Sequence, residues 1–413
     1  MLPLTQRAET ARYNPPAGRV TSISIRPFLA QIVARATKHK QNGMSRTEPP
    51  LRSTTSRSCF YWANVWTLFI LASSGAESST RPELSHTNLL FYCTKEGTVA
   101  PVRSKAEWKR RRAEILEGMQ AVMGPLPGKQ KRCSLDVRIK EELDEGVFVR
   151  RFITYSSEFG SRVPAWLLLP KTALDSHRKF PGVLALHPTD MEHGHRVVVE
   201  PLRTQYPAYA RELAERGFVV LAPGYPLMAN HQPDLKALGY ESGTMKAVWD
   251  NVRALDLLES LPFVKKNGFG AIGHSLGGHN AIFTTVFDLR LKVIVISCGF
   301  DSFLDYMDGN VKGWTSERYM PKLSEFRSRL TDIPFDFYEL IGALAPRPIF
   351  INAPLHDTKF KSASVDAIVD AAIPIYNLYG AAQNMRLAHP DCGHEMPFEM
   401  REEMYRFLRE MLH

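Results

Sequence analysis

The sequence predicts an α/β domain: a doubly wound, mostly parallel sheet with helices on both faces and a lid-like segment inserted late in the chain. Three observations predict it. Apolar runs bounded by Gly and Pro recur at 183–186, 218–222, 291–296 and 348–352. Runs that are apolar throughout suit strands buried on both faces of a parallel sheet. Helical patterns separate them, at 206–216, 244–261 and after Ser275, and such alternation marks a sheet layered between helices. Finally, 300–344 is far longer than the roughly 2 to 6 residues that such connections use besides their helix, which predicts an insertion over about 301–344.

Taken from the N-terminus, the chain begins with a basic stretch. Residues 1–59 hold ten Lys/Arg and two Glu, a net +8 of the formal +9. The remainder is close to neutral, so the basic composition gives no reason to expect a nucleic-acid partner for the folded part. A short apolar core at 60–72 follows, then Ser74 and Ala76. Basic flank, apolar core and small residues outline a signal peptide over 44–76, cut after Ala76. The core is short of the roughly 20 residues of a membrane span. An uncleaved anchor is the alternative, and only then is a membrane a partner. Met44 stands just ahead of this signal, so 1–43 is expected to be untranslated or disordered, and 77–103 is expected to be a linker.

The main domain is expected over 104–413. Ser104 precedes a helical pattern carrying Trp108, Ala113, Ile115, Leu116 and Met119, with Lys109 to Arg112 on a solvated face. Residues 135–169 alternate (Val147, Val149, Phe152, Thr154), which predicts antiparallel strands opening the sheet. The insertion carries Tyr306, Trp314, Tyr319, Phe326, Phe335 and Tyr338. Its aromatics either form a small core of their own, the reading favoured here, or stack on sugar rings. A terminal helix is expected over 397–412. Cys93, Cys133, Cys298 and Cys392 allow three pairings, left open, and their spacing forms no metal motif.

The chemistry concentrates at Gly273-His274-Ser275-Leu276-Gly277. A serine hydroxyl is a poor nucleophile unless it is lifted clear of the backbone and paired with a base. A strand turning sharply into a helix does the lifting, and the helix start aims free N–H groups at the reaction centre. Gly273 and Gly277 flank the apex, where a Cβ would collide with the neighbouring strand or helix. The partners should follow in the order acid, then histidine. Asp357, just past the strand at 348–352, is the candidate acid, with Asp301 its rival after the preceding strand. His394, after Gly393 and ahead of the terminal helix, is the candidate base. His187, His193, His195, His274 and His279 are assigned to shaping the pocket or its rim, and His389, before Pro390, to an extended segment. The oxyanion donors are Leu276 N–H and, since Pro188 has no N–H, Thr189 N–H.

The elbow Gly-His-Ser-Leu-Gly-Gly-His-Asn, the segment 239–249, the Ala345-Pro346-Arg347-Pro348 approach and Asp391-Cys392-Gly393-His394 together resemble the α/β-hydrolases grouped with dienelactone hydrolase and acetyl xylan esterase. The likeness covers about residues 105–413 and is nearest to secreted members of planctomycete type. Dienelactone hydrolases proper use cysteine where this chain has Ser275. The resemblance therefore implies a serine esterase, with a small-molecule or carbohydrate ester as partner and no metal or organic cofactor. Two other readings share the fold: a peptidase of prolyl-oligopeptidase type and an inactive binding module. The acyl group, the alcohol and the oligomeric state are not legible in the sequence.

Overall fold

Nine strands form the central sheet, and their order places the functional loops. The computed structural model describes residues 82, 84–175 and 177–412. The expected signal segment and the stretch before it lie outside these residues. A hairpin of β1 (Phe91–Cys93) and β2 (Val99–Pro101) comes first, then α1 (Lys105–Met123). Next come β3 (Arg138–Asp144), β4 (Phe148–Glu158), β5 (Ser161–Pro170), the short α2 (Lys171–Leu174) and β6 (Phe180–Leu186). Then follow α3 (Tyr209–Glu215), β7 (Val219–Pro223), α4 (Gly243–Ser260), β8 (Val264–His274) and α5 (Leu276–Phe287). The chain closes with β9 (Leu291–Ser297), α6 (Phe337–Ala343), β10 (Ile349–Asn352), α7 (Ser362–Leu378), β11 (Met385–Ala388) and α8 (Phe398–Leu412).

The sheet order is β11-β10-β9-β8-β6-β7-β5-β4-β3. The six strands from β11 to β7 run parallel, while β5, β4 and β3 join antiparallel at one edge. Side-chain alternation sorts the core into two layers. Val293 and Val295 of β9 face α3 and α8 (Tyr209, Leu213, Phe407, Leu408). Ile294 and Ile296 face α1, α4, α5, α6 and α7 (Ile115, Leu255, Phe283, Leu340, Ile368). Period-two alternation in a strand buried on both faces produces this division.

Several expectations need correction. The helix expected from 206 begins at Tyr209, because Pro207 pushes the residue before it toward extended backbone. The strand leading to the elbow is eleven residues long rather than a short apolar pair; its early part is polar and glycine-rich, which hides it from an apolar search. The stretch 77–103 is not wholly a linker, since Leu89, Tyr92 and Val102 are buried in the main core. The segment between β9 and β10 consists of short 3-10 turns followed by α6. Its aromatics are largely core: Phe335 is fully buried and Trp314 nearly so. Gly243 and Thr244, at the start of α4, donate their N–H groups to the carbonyls of Glu317 and Tyr319. The insertion thereby satisfies donors that a helix start leaves open.

Candidate active site

Strand register lines up the C-terminal ends of the central strands. His274 of β8 lies opposite Ser297 of β9, Ser297 opposite Asn352 of β10, and Asn352 opposite Ala388 of β11. Each sequence-derived candidate follows one of these ends, as the crevice outside the carboxyl edge of a parallel sheet requires.

Ser275 stands at φ 55°, ψ −122°, between β8 and α5. A positive φ at a residue with a Cβ is strained by about 1–3 kcal/mol and persists where the surroundings over-determine it. The surroundings here are close backbones. A Cβ on Gly273 would lie 2.1 Å from the carbonyl of Gly277, and one on Gly277 would lie 1.8 Å from the carbonyl oxygen of Leu186. The end of β6 therefore presses against the start of α5, bringing the loop from His187 to Asp190 beside the elbow.

The acid and base loops are stitched to each other. Leu355 N–H donates to Pro390 O (3.1 Å) and His356 N–H to Cys392 O (3.0 Å). Within this pairing His394 Nδ1 lies 2.9 and 3.0 Å from the two carboxylate oxygens of Asp357. The Asp357 side chain is 1% exposed. Burial pushes its carboxyl up, but His394 and the backbone N–H groups of Lys359 and Phe360 outweigh this and hold it below its ordinary value. An ionised Asp357 fixes the proton of His394 on Nδ1 and leaves Nε2 as the basic nitrogen. The His394 ring packs 4.9 Å from the ring of His274, the residue before Ser275.

Asp301, the rival acid, is elsewhere. One carboxylate oxygen accepts from Lys361 N–H (3.1 Å), and the other is buried without a partner. Burial, reinforced by Asp305 and Asp336, raises its carboxyl to about 8. Thr189 is exposed and its Oγ1 lies 3.2 Å from the hydroxyl of Tyr319 in the insertion. Leu276 opens α5, where the first N–H groups have no partner inside the helix.

Of the histidines assigned to shaping the pocket or its rim, all but His193 are interior groups. His187, His195, His274 and His279 are all buried. His187 Nε2 accepts from Tyr225 N–H (2.9 Å), tying the β6 and β7 loops together; its burial lowers its pKa to about 4. His279 stacks between Phe283 (4.2 Å) and Trp314 (4.3 Å), and burial lowers it to about 3. His389 is braced by Ala353 O and Asp366.

Sequence reasoning missed a buried polar row beneath the base. Asn352 Nδ2 donates to Ser297 Oγ (2.9 Å) and to the carbonyl of Glu395 (3.1 Å), the residue after His394. Cys298 Sγ lies 3.4 Å from the same carbonyl, and Ser297 Oγ lies 3.0 Å from His274 Nδ1. The available signal was a polar residue closing a run of apolar ones, as in Ile349–Asn352 and Val293–Ser297, since such a group is buried only with partners. Cys298, Asp357 and His394 also place one ligand atom each within 4.8 Å of one another. A thiophilic ion there would compete with the proton on His394.

No family model matches the sequence. The chain is 26% identical over 314 residues, 73% of its length and 100% of the relative's, to a Bacillus subtilis (strain 168) protein named "Putative hydrolase YtaP". Among solved structures it is similar to the glucuronoyl esterase from Solibacter usitatus (TM-score 0.63, 18% identity, 81% of this chain and 100% of that one). It is similar as well to a carbohydrate esterase family 15 glucuronoyl esterase from Caldicellulosiruptor kristjansonii (0.59, 18%, 80% and 91%). A third is the acetyl xylan esterase from Paenibacillus sp. R4 (0.50, 18%, 68% and 90%). The chain has an α/β-hydrolase type of fold, with a mostly parallel central sheet.

Proposed function

We propose that the protein is a serine esterase that hydrolyses carboxylic esters of carbohydrates through an acyl-enzyme intermediate. The observation that carries this reading is the buried Asp357 carboxylate on His394 Nδ1, with the His394 ring packed on His274, the residue before a serine at positive φ. The printed activities of the structural neighbours support ester over peptide bonds and a carbohydrate component in the ester, as the acyl group for the glucuronoyl esterases and as the alcohol for the acetyl xylan esterase. Nothing observed favours the peptidase or the inactive module.

In the proposed cycle, Ser275 Oγ attacks the acyl carbon as His394 Nε2 takes its proton, and Asp357 stabilises the imidazolium without being protonated. The N–H groups of Leu276 and Thr189 receive the oxyanion. Collapse of the tetrahedral intermediate passes the proton from His394 to the departing alcohol. Water then gives a proton to His394 and its hydroxyl to the acyl carbon, and His394 passes that proton to Ser275 Oγ as the bond to the acyl carbon breaks, freeing the acid and Ser275. Export through the segment 44–76 belongs to the same reading, as does the hydrolase domain over 104–413. Acetylated sugars, methyl glucuronates and short p-nitrophenyl esters, offered to wild type and Ser275→Ala, test the proposal. At least one class should be turned over, and Ser275→Ala should lose roughly a million-fold in turnover. Activity in the variant within about tenfold of wild type overturns it.

A further inference from the structure

The proposed acyl transfer makes no use of the thiol of Cys298, yet that thiol lies against the acid and the base. Cys298 Sγ, a carboxylate oxygen of Asp357 and a ring nitrogen of His394 all lie within 4.8 Å of one another. Cys298 follows β9 directly, and its N–H donates to the carbonyl of Asn352 (2.9 Å), which seats it between the ends of two strands. A cavity of about 10 Å³, room for one water-sized occupant, is lined by Cys298, Asp357 and Asn352 among others. Asn352 is buried, and its Oδ1 accepts no hydrogen bond from the described residues. A buried carbonyl oxygen in that condition is costly unless something binds it.

Sulfur, imidazole nitrogen and carboxylate oxygen together suit Zn²⁺, whereas Mg²⁺ and Ca²⁺ take oxygen ligands. Tetrahedral zinc sets such atoms roughly 3.4–3.6 Å apart. Parting Asp357 from His394 Nδ1, 2.9 Å away, and drawing in the sulfur meets that with shifts of about 1 Å. The Asn352 oxygen or a water completes the four. His394, with its side chain 19% exposed, opens the cluster to solvent. Binding has a definite consequence for the chemistry. A coordinating thiol is deprotonated outright, so Cys298 gives its proton to solvent. The ion takes the lone pair of His394 Nδ1, and the ring proton moves from Nδ1 to Nε2. Nε2 then donates instead of accepting, with no lone pair left for the proton of Ser275. One proton is released for each ion bound, and the base is off.

We propose that Cys298, Asp357 and His394 form an inhibitory site for a thiophilic divalent cation of the zinc type, which switches the enzyme off by holding the base in the wrong tautomer. The inhibition rests on the esterase reading given above; the binding does not. The test titrates Zn²⁺ into the full chain, freed of metal with a chelator, by calorimetry and against ester hydrolysis. Wild type, Cys298→Ser and Cys392→Ser are compared, each rate being referred to that protein's own metal-free value. Wild type should bind one Zn²⁺ tighter than about 10 µM and lose activity with the same midpoint. Cys298→Ser should weaken both by about 100-fold or more, while Cys392→Ser, which removes the thiol of the base loop, should match wild type. Mg²⁺ and Ca²⁺ should not inhibit. Co²⁺ should give the absorption of a thiolate bound to cobalt and keep it in Cys392→Ser, which reads the sulfur even where Cys298→Ser fails to fold. Weaker binding in wild type, inhibition untouched by Cys298→Ser or abolished by Cys392→Ser, or a cobalt complex without the thiolate band overturns the proposal. Failure of the esterase reading shows differently, as no ester turned over in the absence of metal, and calorimetry and the cobalt spectrum then still decide the site.

Discussion

Asp357 and Asp301 follow adjacent strands, and their surroundings push their carboxyls in opposite directions. Asp357 is held low by His394 and two backbone N–H groups, whereas Asp301 keeps its proton to about 8. Asp357→Asn should therefore stay folded and lose on the order of 10⁴ in turnover, while Asp301→Asn keeps most of its activity; the reverse ranking places the acid on the other strand. Asp301 also predicts a pH dependence of stability. Unfolded, it ionises near its ordinary 3.8; folded, it stays protonated to about 8. Between those values the native state binds the extra proton, so stability falls as pH rises. Removing the charge with Asp301→Asn should favour the variant by roughly 1 kcal/mol more per pH unit from about pH 5 to 8. Urea unfolding across that range reads it, and parallel curves for the two proteins contradict it. Asn352 is a positioning residue, because it holds the carbonyl after His394. A displaced base costs about 10²-fold, so Asn352→Ala should lower kcat by that order with KM little changed. A merely structural role would lower the thermal midpoint and leave kcat intact.

At the scale of elements, the elbow is a close approach of β6, β8 and α5 that only glycine allows. Gly277→Ala drives a Cβ onto the Leu186 carbonyl. It should cost roughly 3 kcal/mol and lower the thermal midpoint by roughly 4 °C; an unchanged midpoint means the contact is looser than described. This element was legible because glycine spacing and the apolar runs around it are local features. So were β6, β7, β9 and β10. The hairpin β1–β2 and the edge strand β11 were not, because three or four half-exposed residues carry no period. The polar row from His274 through Ser297 to Asn352 was hidden for a different reason. It depends on strand register across β8, β9 and β10, which no local pattern states. The burial of four histidines was missed likewise, since their partners, such as Trp314 for His279, come from distant segments.

For the whole molecule, charge and hydropathy divide the chain into a basic, apolar-centred N-terminal stretch and a nearly neutral domain. No helix among the described residues is long and apolar enough to cross a membrane. The residue pattern at 44–76 predicts export with a mature N-terminus at or near Glu77. N-terminal sequencing of protein from its native host checks this, and a soluble cytoplasmic chain beginning at Met1 contradicts it. We propose that the sheet edge assembles Ser275, His394 and Asp357 into one nucleophilic unit. Fluorophosphonate labelling followed by peptide mapping tests it most directly. A single adduct is expected on Ser275, absent in Ser275→Ala and strongly slowed in His394→Ala. An unlabelled wild-type protein, or an adduct on another residue while ester hydrolysis survives in Ser275→Ala, would contradict it.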